Sequence, residues 1–575
     1  MEKNIDRIVC KAEKIKDYRE LIKRTVTKYP QNIAYKYKKD YTAKEPEYIS
    51  KTFSDFDKDI KGFSTALLNL GLEGKKIIVI GKNRYEWCVT YLAVTTGNMI
   101  IAPMDKALPE KEIEVLVKRS KAEVIVFDDK YIEIMKKIKK ENNNIKLLIC
   151  MDEQKDKEIT NFTNLLTKGK EQLESGDNKY EKIEVDPNKM SIMLFTSGTT
   201  NLPKIVMLSQ GNICENIPAI ASYVRVYPTD TMLSFLPIHH TFECTITFLY
   251  GLYGGCCVAF CDGLKHIQQN LKEYQVTVFV AVPLVLETMY KKITKAIDDQ
   301  GKTKLINTVS KISKGLLKVH IDLRKVFFKQ ILDQFGGHLR VVFYGAAPMS
   351  KDTIIGYNNL GIDLAQGYGL TETSPVITAE TDKEKRPGSV GLALSNLEVK
   401  IDEPNKEGIG EILVKGPSVM LGYYEDEEKT KEAFKEGWFK TGDFGYMDED
   451  KFIFITGRKK DIIVLQNGKN VYPQEIEFLI NKIPAVMESL VYLRAKDATD
   501  TMLCTKIVYD KEMAKQIYGD KTEENLKEIM WQKVKEINQT LPIFKKVKKI
   551  SISTEPFAKT TTQKVKRYEE LKKVD

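Results

Sequence analysis

Short apolar runs alternate with amphipathic stretches through the first part of the chain. Apolar runs lie at 76–80 (KIIVI), 99–103 (MIIAP) and 122–129 (AEVIVFDD), and amphipathic stretches lie between them at 85–96 and 110–120. Runs rich in β-branched residues that are separated by helical periods are typical of βαβ units. We therefore expect parallel strands in this region.

A second series of the same kind begins near Met190. Its apolar runs, in chain order, are DTMLSFLP, YGGCCVAF, VTVFVAVP and LRVVFYGAAP. Together the two series predict an α/β fold, with parallel-sheet α/β subdomains in a large N-terminal domain at 1–457.

Two stretches depart from this pattern. Residues 286–335 are rich in lysine and carry apolar residues at helical spacing without a strand signal, which predicts a helical insertion. Residues 388–456 predict short strands joined by glycine turns, and hence a β-rich subdomain. After the charged pentad GRKKD at 457–461, residues 462–575 show their own alternation of strands and helices. They predict a small α+β C-terminal domain.

Length and charge limit the class of protein. A chain of 575 residues is too long for one ordinary core, which agrees with several domains. The formal charge of +10 is the difference between 90 basic and 80 acidic residues that are spread along the whole chain. We therefore expect no nucleic-acid partner.

The chain shows no targeting or membrane-spanning segment by pattern. The first 20 residues carry charges every few positions and no apolar core, so they predict neither a signal peptide nor an anchor. The best apolar candidate, Thr247 to Phe260, has 14 residues, whereas a spanning helix needs about 20. It predicts a buried helix and strand. A cytoplasmic location is favoured, and peripheral membrane contact is left open.

Cysteine usage favours reduced thiols. The nine cysteines are odd in number and scattered along a long chain, which is not typical of a disulfide framework. Cys256, Cys257 and Cys261 cluster, but they lack the paired spacing of a zinc site. We expect them to pack in the core.

The stretch from Thr196 to Lys204, TSGTTNLPK, is the first candidate for chemistry. It has one glycine before the lysine and Ile205 after it, so it fails the P-loop pattern. Its hydroxyls, the amides beside glycine and the lysine would still supply neutral and charged donors to phosphate oxygens. The candidate phosphate ligands are Thr196, Ser197, Gly198, Thr199, Thr200 and Lys204. Taken alone, the stretch leaves a polar surface turn as the alternative.

Four further motifs follow in order: YGAAP at 344–348, QGYGLTET at 366–373, TGD at 441–443 and GRKKD at 457–461. Each is weak singly, but the ordered set resembles the adenylate-forming (AMP-binding) superfamily, which includes acyl-CoA synthetases. The resemblance covers about residues 20 to 570. The long helical insertion after VAVPLVLETMYKKI is most similar to that of long-chain fatty acid–CoA ligases.

The resemblance implies how ATP is bound. The first motif would wrap the β- and γ-phosphates, the small residues of YGAAP would line the adenine slot, and Tyr368 would stack on adenine. Asp443 would accept the ribose hydroxyls, as an acid does in dinucleotide sites, beside the basic Arg458. The nucleotide ligands implied beyond the first motif are Gly345, Ala346, Ala347, Gln366, Gly367, Tyr368, Asp443 and Arg458.

The resemblance also implies which residues take part in catalysis. Thr371 would lie at the α-phosphate, and Glu372 would bind Mg²⁺ with Thr196 as a second metal contact. A hard cation with few protein ligands suits Mg²⁺ on a nucleotide. The stretch AKTTTQKVKR is similar to the family's C-terminal lysine motif and makes Lys564 the catalytic cation. Arg458 completes the implied catalytic set.

Two further residues are assigned by the resemblance. His240, in SFLPIHHTFE, aligns with the histidine beside the substrate carboxylate, whereas His239 fits a core histidine at least as well. Lys460 is the implied hinge, within 458–461, about which the C-terminal domain rotates between two half-reactions.

The implied activity is ATP-dependent conversion of a fatty acid to acyl-AMP with release of pyrophosphate, followed by transfer to CoA. An acyl carrier protein or a medium-chain acid are alternative substrates. A binding protein that has lost turnover is a further alternative, because Asn201, Ile205 and Gln563 stand where the family commonly has glycine. Ile205 would be strained at the positive φ that glycine allows. Gln210 replaces a common histidine.

Overall fold

The computed structural model describes residues 7–196, 203–301, 303–317, 319, 321–465, 469–495, 501–559 and 565–574. The chain divides into two compact units, and each is described by itself. The first unit comprises 1–398 and 414–439, and the second comprises 399–413 and 440–575.

The strands are numbered in chain order: β1 (Ile33–Lys38), β2 (Tyr48–Thr52), β3 (Lys76–Ile80), β4 (Ile100–Met104), β5 (Val124–Phe127), β6 (Leu147–Cys150), β7 (Thr160–Asn161), β8 (Met190–Thr196), β9 (Lys204–Ser209), β10 (Thr231–Ser234), β11 (Cys257–Phe260), β12 (Val278–Ala281), β13 (Val341–Tyr344), β14 (Asp363–Gly369), β15 (Val376–Ala379), β16 (Leu392–Ala393), β17 (Glu398–Asp402), β18 (Gly410–Lys415), β19 (Gly422–Tyr423), β20 (Phe434–Lys435), β21 (Trp438–Met447), β22 (Ile453–Arg458), β23 (Ile463–Val464), β24 (Asn470–Val471), β25 (Val486–Ala495), β26 (Thr501–Tyr509) and β27 (Lys549–Ser553).

The α-helices are Tyr18–Lys28, Phe53–Asn69, Tyr85–Thr96, Glu110–Ser120, Ile132–Glu141, Phe162–Glu174, Lys179–Lys182, Gln210–Ala221, Gly251–Gly254, Ile267–Glu273, Pro283–Asp299, Thr303–Leu317, Arg324–Phe327, Lys329–Leu332, Lys351–Leu360, Glu427–Ala433, Pro473–Ile480, Lys511–Tyr518, Glu523–Thr540 and Arg567–Leu571. A π-helix spans Glu243–Tyr250.

Two large sheets organise the first unit. One has eight strands in the order β19-β9-β8-β4-β3-β5-β6-β7, and the other has nine in the order β16-β15-β14-β13-β12-β10-β11-β1-β2. The strands β3, β4, β5 and β6 pair in parallel, and so do β11, β10, β12, β13 and β14 with one another in the second sheet. β14 and β15 are antiparallel. The apolar runs of the sequence therefore form parallel strands, and the predicted α/β fold is confirmed.

Local sequence explains where the helices begin. The helix Phe53–Asn69 starts at a capping box, in which the Thr52 hydroxyl accepts from Asp55 N and the Asp55 carboxylate accepts from Thr52 N. The helix Gln210–Ala221 starts in the same way, with Ser209 and Asn212. In both cases a side chain satisfies an amide that the first turn would otherwise leave unpaired.

The lysine-rich segment that follows β12 is helical. The helices Pro283–Asp299 and Thr303–Leu317 contribute Tyr290, Ile293, Ile306 and Val309, which pack against the core of the nine-stranded sheet. Their lysines are mostly exposed. Burial of one apolar face accounts for the helical spacing of the sequence.

The apolar stretch at 247–260 is buried, with the π-helix followed by a short helix and β11. In the part of the chain that the structure describes, we find no helix both long and apolar enough to cross a membrane. All nine cysteines are described and free, and Cys256 is fully buried and donates to Tyr227 O.

The second unit is smaller and of α+β type. β17, β18, β21 and β22 form one sheet, and β25, β26 and β27 form another. β25 and β26 are antiparallel, whereas β26 and β27 are parallel. The helices Pro473–Ile480 and Glu523–Thr540 bury Ile476, Ile480 and Met530 against this sheet. A large N-terminal domain and a separate smaller C-terminal domain thus agree with the expected fold class.

A buried carboxyl group holds the segment that follows β10. Glu243 is fully buried, and its two oxygens accept hydrogen bonds from the hydroxyls of Ser234 at 2.7 Å and Thr247 at 2.9 Å. Burial raises the pKa of Glu243 to about 8, although both hydroxyls oppose the rise. Near neutral pH the fold therefore favours the protonated form.

We expect the Glu243→Gln variant to lose a pH dependence of stability that the natural chain shows. Because folding raises the pKa, the stabilisation by protonated Glu243 is fully present below its ordinary pKa of about 4.3. It declines by about 1.4 kcal/mol per pH unit as the pH rises towards the folded value. Thermal unfolding between pH 5 and 9 measures this change. The exposed Glu45→Gln variant should keep the natural profile, and parallel profiles for all three proteins would refute the assignment.

Candidate functional site

The ends of the predicted phosphate motif lie side by side in the first unit. β8 and β9 are antiparallel, and Thr196 is opposite Lys204 in their register. The Thr196 hydroxyl donates to the carbonyl oxygen of Lys204 at 3.4 Å. Ser197, Gly198, Thr199 and Thr200 lie outside the described residues. The strand pairing thus brings together a hydroxyl and a cation that are eight positions apart.

Lys204 and Glu372 are linked through a tyrosine. The Lys204 Nζ atom lies 4.2 Å from the centroid of the Tyr423 ring, which is within the range of a cation–π contact. The Tyr423 hydroxyl donates to Glu372 Oε1 at 3.1 Å. The predicted phosphate cation and the predicted metal carboxylate therefore share one neighbour.

Burial and the Glu372 carboxylate raise the pKa of Tyr423, so its hydroxyl stays a proton donor. Sequence reasoning did not single out Tyr423. It is one of 27 tyrosines, and no motif marks it.

Backbone pairing places Tyr423 at this position. β19 joins the edge of the eight-stranded sheet, with Tyr423 opposite Val206 of β9. The Asn212 side chain donates to the carbonyl oxygens of Pro417 at 2.7 Å and Val419 at 3.0 Å. The Glu372 carbonyl in turn accepts from Met420 N at 2.8 Å. These bonds fix a segment remote in sequence against the predicted motifs.

Thr371 and Glu372 occupy a short 3₁₀ turn, Thr371–Thr373, directly after β14. The Thr373 side chain is buried and donates to Pro375 O at 2.6 Å. Thr371 and Glu372 remain partly exposed. The turn therefore presents a hydroxyl and a carboxylate at the end of a buried strand.

The small residues of YGAAP form an edge next to β14, at the end of β13. A Cβ atom on Gly345 would lie 2.7 Å from the carbonyl oxygen of Gly367, closer than real Cβ contacts allow. Ala346 and Ala347 are exposed, and Ala346 has a φ of +69°. Packing against β14 therefore requires glycine at position 345, whereas the two alanines that follow are accessible.

The other residues of this edge have different environments. Tyr368 is partly exposed and pairs with Thr378 of β15. Gln366 is buried, and its side chain accepts from the Tyr344 hydroxyl at 2.8 Å. The backbone N–H of Gln366 donates to Glu380 Oε2 at 3.0 Å, and burial raises the pKa of Glu380 to about 7. The buried Gln366 thus holds β14 in place through its hydrogen bonds. Tyr368 is partly exposed and therefore accessible to a ligand.

The predicted ribose residues form an ion pair in the second unit. Asp443 and Arg458 are opposite each other in β21 and β22, and Arg458 Nε lies 2.9 Å from Asp443 Oδ1. The Asp443 side chain is almost completely buried. Thr441 fixes this position, since its hydroxyl accepts from Asp443 N at 3.1 Å and donates to Ile412 O at 2.7 Å.

Lys460 lies in a 3₁₀ turn, Lys459–Asp461, immediately after β22. Burial lowers the pKa of Lys460. Its neighbour Lys459 forms a 2.7 Å ion pair with Glu411. Lys564, the predicted catalytic cation, and Gln563 lie outside the described residues.

The two histidines of SFLPIHHTFE have different burial. His239 is buried and His240 partly buried, and their ring centroids are 4.0 Å apart. Burial is the largest cause of a lowered pKa at His239. His240 is thus the less buried of the two, and its place beside the substrate stays a prediction.

The structure accounts for Ile205 and Gln210, two residues that differ from the family pattern. Asn201, a third such residue, lies outside the described residues. Ile205 is not at positive φ; it lies within β9, opposite Phe195, and is buried. The strain that would follow from glycine geometry is therefore absent. Gln210 is buried, accepts from Tyr18 N at 3.1 Å and donates to Thr95 O at 2.8 Å.

Known proteins are similar to this chain over most of its length. Long-chain-fatty-acid–CoA ligase 6 of Mus musculus is 30% identical over 491 residues, which cover 77% of this chain and 70% of that protein. A chloroplastic long-chain-fatty-acid–[acyl-carrier-protein] ligase of Arabidopsis thaliana, AEE15, is 26% identical over 560 residues, which cover 85% and 76%. ATP-bound MatB from Rhodopseudomonas palustris has the same fold, with a TM-score of 0.73 and 23% identity over 96% of this chain and 98% of that one.

Family models account for most of the chain. The AMP-binding enzyme model matches residues 22–424, and that of the AMP-binding enzyme C-terminal domain matches residues 460–574. Because the first of these matches well over half of the 575 residues, the chain belongs to the AMP-binding enzyme family.

Proposed function

We propose that this protein is an ATP-dependent ligase that activates a fatty acid as acyl-AMP, releases pyrophosphate and transfers the acyl group to the thiol of CoA. The observation that carries the proposal is the contact of Tyr423 with both Lys204 and Glu372. It joins the candidate phosphate cation to the candidate metal carboxylate.

In the first step a carboxylate oxygen of the acid attacks the α-phosphorus of ATP, and the bond to the bridging oxygen of pyrophosphate breaks. Two anions approach each other, so the site must supply positive charge and donors where charge develops. Lys204 and the hydroxyl of Thr196 suit the leaving pyrophosphate, and Thr371 suits the α-phosphate. In the second step the CoA sulfur attacks the acyl carbonyl, and AMP leaves.

The donor set also suits Mg²⁺ bound mainly by nucleotide phosphates. The carboxylate of Glu372 and the hydroxyl of Thr196 are hard oxygen ligands of the kind this ion prefers. When bound, Mg²⁺ would neutralise charge on the phosphates during displacement. Tyr423 orients the Glu372 carboxylate by its hydrogen bond.

Several assignments rest on the family resemblance. Asp443 with Arg458 takes the ribose, and Tyr368 stacks on adenine. Lys564 stabilises the attack on the α-phosphate. Residues 458–461, with Lys460, are the hinge between an N-terminal domain at 1–457 and a mobile C-terminal domain at 462–575.

The acid is proposed to be a long-chain fatty acid, because the mouse relative carries that name. Each buried methylene contributes about 0.8 kcal/mol to binding, so an alkyl chain is an effective specificity element. An acyl carrier protein is a second candidate acceptor, since the Arabidopsis relative is named for it. A cytoplasmic location with peripheral membrane contact fits either acceptor.

Fatty-acid-dependent exchange of labelled pyrophosphate into ATP tests the adenylation step. We expect exchange with long-chain acids, with a maximum at one chain length in a series from medium to long. Thioester formation with CoA or with acyl carrier protein then identifies the acceptor. Absence of exchange with every carboxylic acid tested would instead support a binding protein without turnover.

Tyr423→Phe should lower kcat/KM for ATP in the exchange assay by at least about tenfold. The change removes the hydrogen bond to the Glu372 carboxylate, and such charged hydrogen bonds contribute about 1.5–3 kcal/mol. It keeps the ring beneath Lys204. Tyr424→Phe is the matched control, because Tyr424 is the next residue and makes no described contact with Glu372. Equal activity of both variants would exclude a role for the Tyr423 hydroxyl.

Gly345→Ala should raise the Kd for ATP several-fold. The added methyl group would lie 2.7 Å from Gly367 O and must displace the edge assigned to adenine. Gly315→Ala is the control, since a Cβ at that helical position meets nothing within 4 Å. Calorimetric titration with ATP measures the effect, with thermal unfolding as a check of folding. Unchanged ATP binding in a folded Gly345→Ala variant would remove the adenine site from this edge.

Lys564→Ala should slow acyl-adenylate formation by about 10²–10³, the usual effect of losing one electrostatic donor at a transition state. Thioester formation from supplied acyl-adenylate should remain largely intact. The exposed Lys572→Ala variant should leave both half-reactions unchanged. Equal loss of both half-reactions in Lys564→Ala would contradict its assignment.

A further inference from the structure

Three side chains capable of binding a metal converge in the first unit, where loops from its two sheets meet. Asp105 directly follows β4 of the eight-stranded sheet, whereas His239 and His240 follow β10 of the nine-stranded sheet. One ligand atom from each residue lies within 4.8 Å of the other two. Since two separate loops carry them, the cluster depends on tertiary structure.

The two imidazoles lie close together although their residues are consecutive. In an extended strand, neighbouring side chains would point to opposite faces. Here the backbone turns, because His240 N donates to Pro237 O at 3.0 Å. The ring centroids are 4.0 Å apart as a result. Such a turn can present two nitrogen ligands to one ion.

His239 has a polar atom without a hydrogen bond. Its side chain is 8% exposed, and its buried Nε2 atom has no hydrogen-bond partner among the described residues. Asp105 Oδ2 is 3.6 Å away, beyond hydrogen-bonding distance. Leaving such a buried atom unpaired is unfavourable. A bound ion would satisfy it.

The surrounding residues hold the three ligands in place. Asp105 Oδ1 accepts from Ala107 N at 2.8 Å, so the carboxylate is oriented while Oδ2 faces His239. Asn83 holds the histidine loop, because its side chain donates to Leu236 O at 2.7 Å and accepts from Ile238 N at 3.3 Å. Supporting bonds of this kind are characteristic of metal sites.

We propose that Asp105, His239 and His240 bind one divalent transition-metal ion of the Zn²⁺ class. Two imidazoles and one carboxylate, with a fourth position open, form a ligand set that Zn²⁺ accepts. Bonds of about 2.0–2.2 Å place tetrahedral ligands about 3.4 Å apart. Because the ligand atoms already lie within 4.8 Å of one another, the three side chains would need to close by at most about 1.4 Å around the ion.

The site would control access of the fatty acid, and this step rests on the proposed function. That function places His240 beside the substrate carboxylate. An ion held by His240 would compete with productive placement of the acid, so Zn²⁺ would inhibit adenylation. The ion and the acid would therefore exclude each other at His240.

Titration of the metal-free, full-length protein with Co²⁺ tests binding without any activity assay. We expect one Co²⁺ per chain with d–d absorption that lacks strong thiolate charge transfer, and displacement by Zn²⁺. His239→Gln and Asp105→Asn should each weaken binding by more than about 100-fold, beyond the usual effect of a supporting residue. His338→Gln, at an exposed histidine, should bind as the natural protein does.

Three results would overturn the metal site: no binding to the natural chain, unchanged binding by both folded ligand variants, or a spectrum dominated by thiolate bands from the cysteines. Circular dichroism checks folding. Asp105→Asn decides the matter if His239→Gln does not fold, because asparagine keeps the oxygen that Ala107 N requires.

Pyrophosphate exchange at increasing Zn²⁺ tests the consequence. We expect inhibition that rising fatty acid concentration relieves and that Asp105→Asn abolishes. Stoichiometric Co²⁺ binding in a protein without exchange activity would support the site while refuting the proposed function. Inhibition that persists unchanged in Asp105→Asn would refute the link between the site and the reaction.

Discussion

Pairing of β19 with β9 is the interaction on which the candidate site depends. Leu421 N donates to Met207 O at 3.0 Å, and Tyr424 N donates to Ile205 O at 2.8 Å. These bonds join parts of the chain more than 200 residues apart. They place Tyr423 between a lysine at the start of β9 and a carboxylate after β14, in two different sheets. Closing so long a loop costs entropy, which the buried neighbouring sheets offset.

The carboxyl ends of parallel strands set the second constraint. Loops after β3, β4 and β10 meet because their strands belong to two sheets in the same unit. Asn83, in the loop after β3, is hydrogen-bonded to Ser234 and Ile238 and so links this loop to the one after β10. Glu243 accepts from the Ser234 hydroxyl and so also holds the end of β10. The histidine loop is therefore supported on both sides, which is how open α/β sheets build ligand sites from loops.

Much of the fold was predictable because the hydrophobic pattern of a strand or helix involves only residues that are close in sequence. Apolar runs such as KIIVI became buried parallel strands, since a strand covered on both faces needs apolar residues throughout. The ordered motifs singled out Thr196, Lys204, Glu372 and Asp443, whose roles stay predictions. The interpretation of Ile205 was less successful: the residue type suggested strain, but its strand neighbour Phe195 gives it ordinary extended geometry.

The sequence by itself determined the α/β class, the positions of most strands and the order of the nucleotide motifs. Periodicity and motif spacing depend only on residues that are close in sequence. Only the tertiary structure decided that Tyr423 joins Lys204 to Glu372, and that Asp105 meets His239 and His240. No local pattern marks Tyr423 or Asp105. Their contacts follow from strand pairing and from loops brought together by two sheets, and both depend on packing between distant parts of the chain.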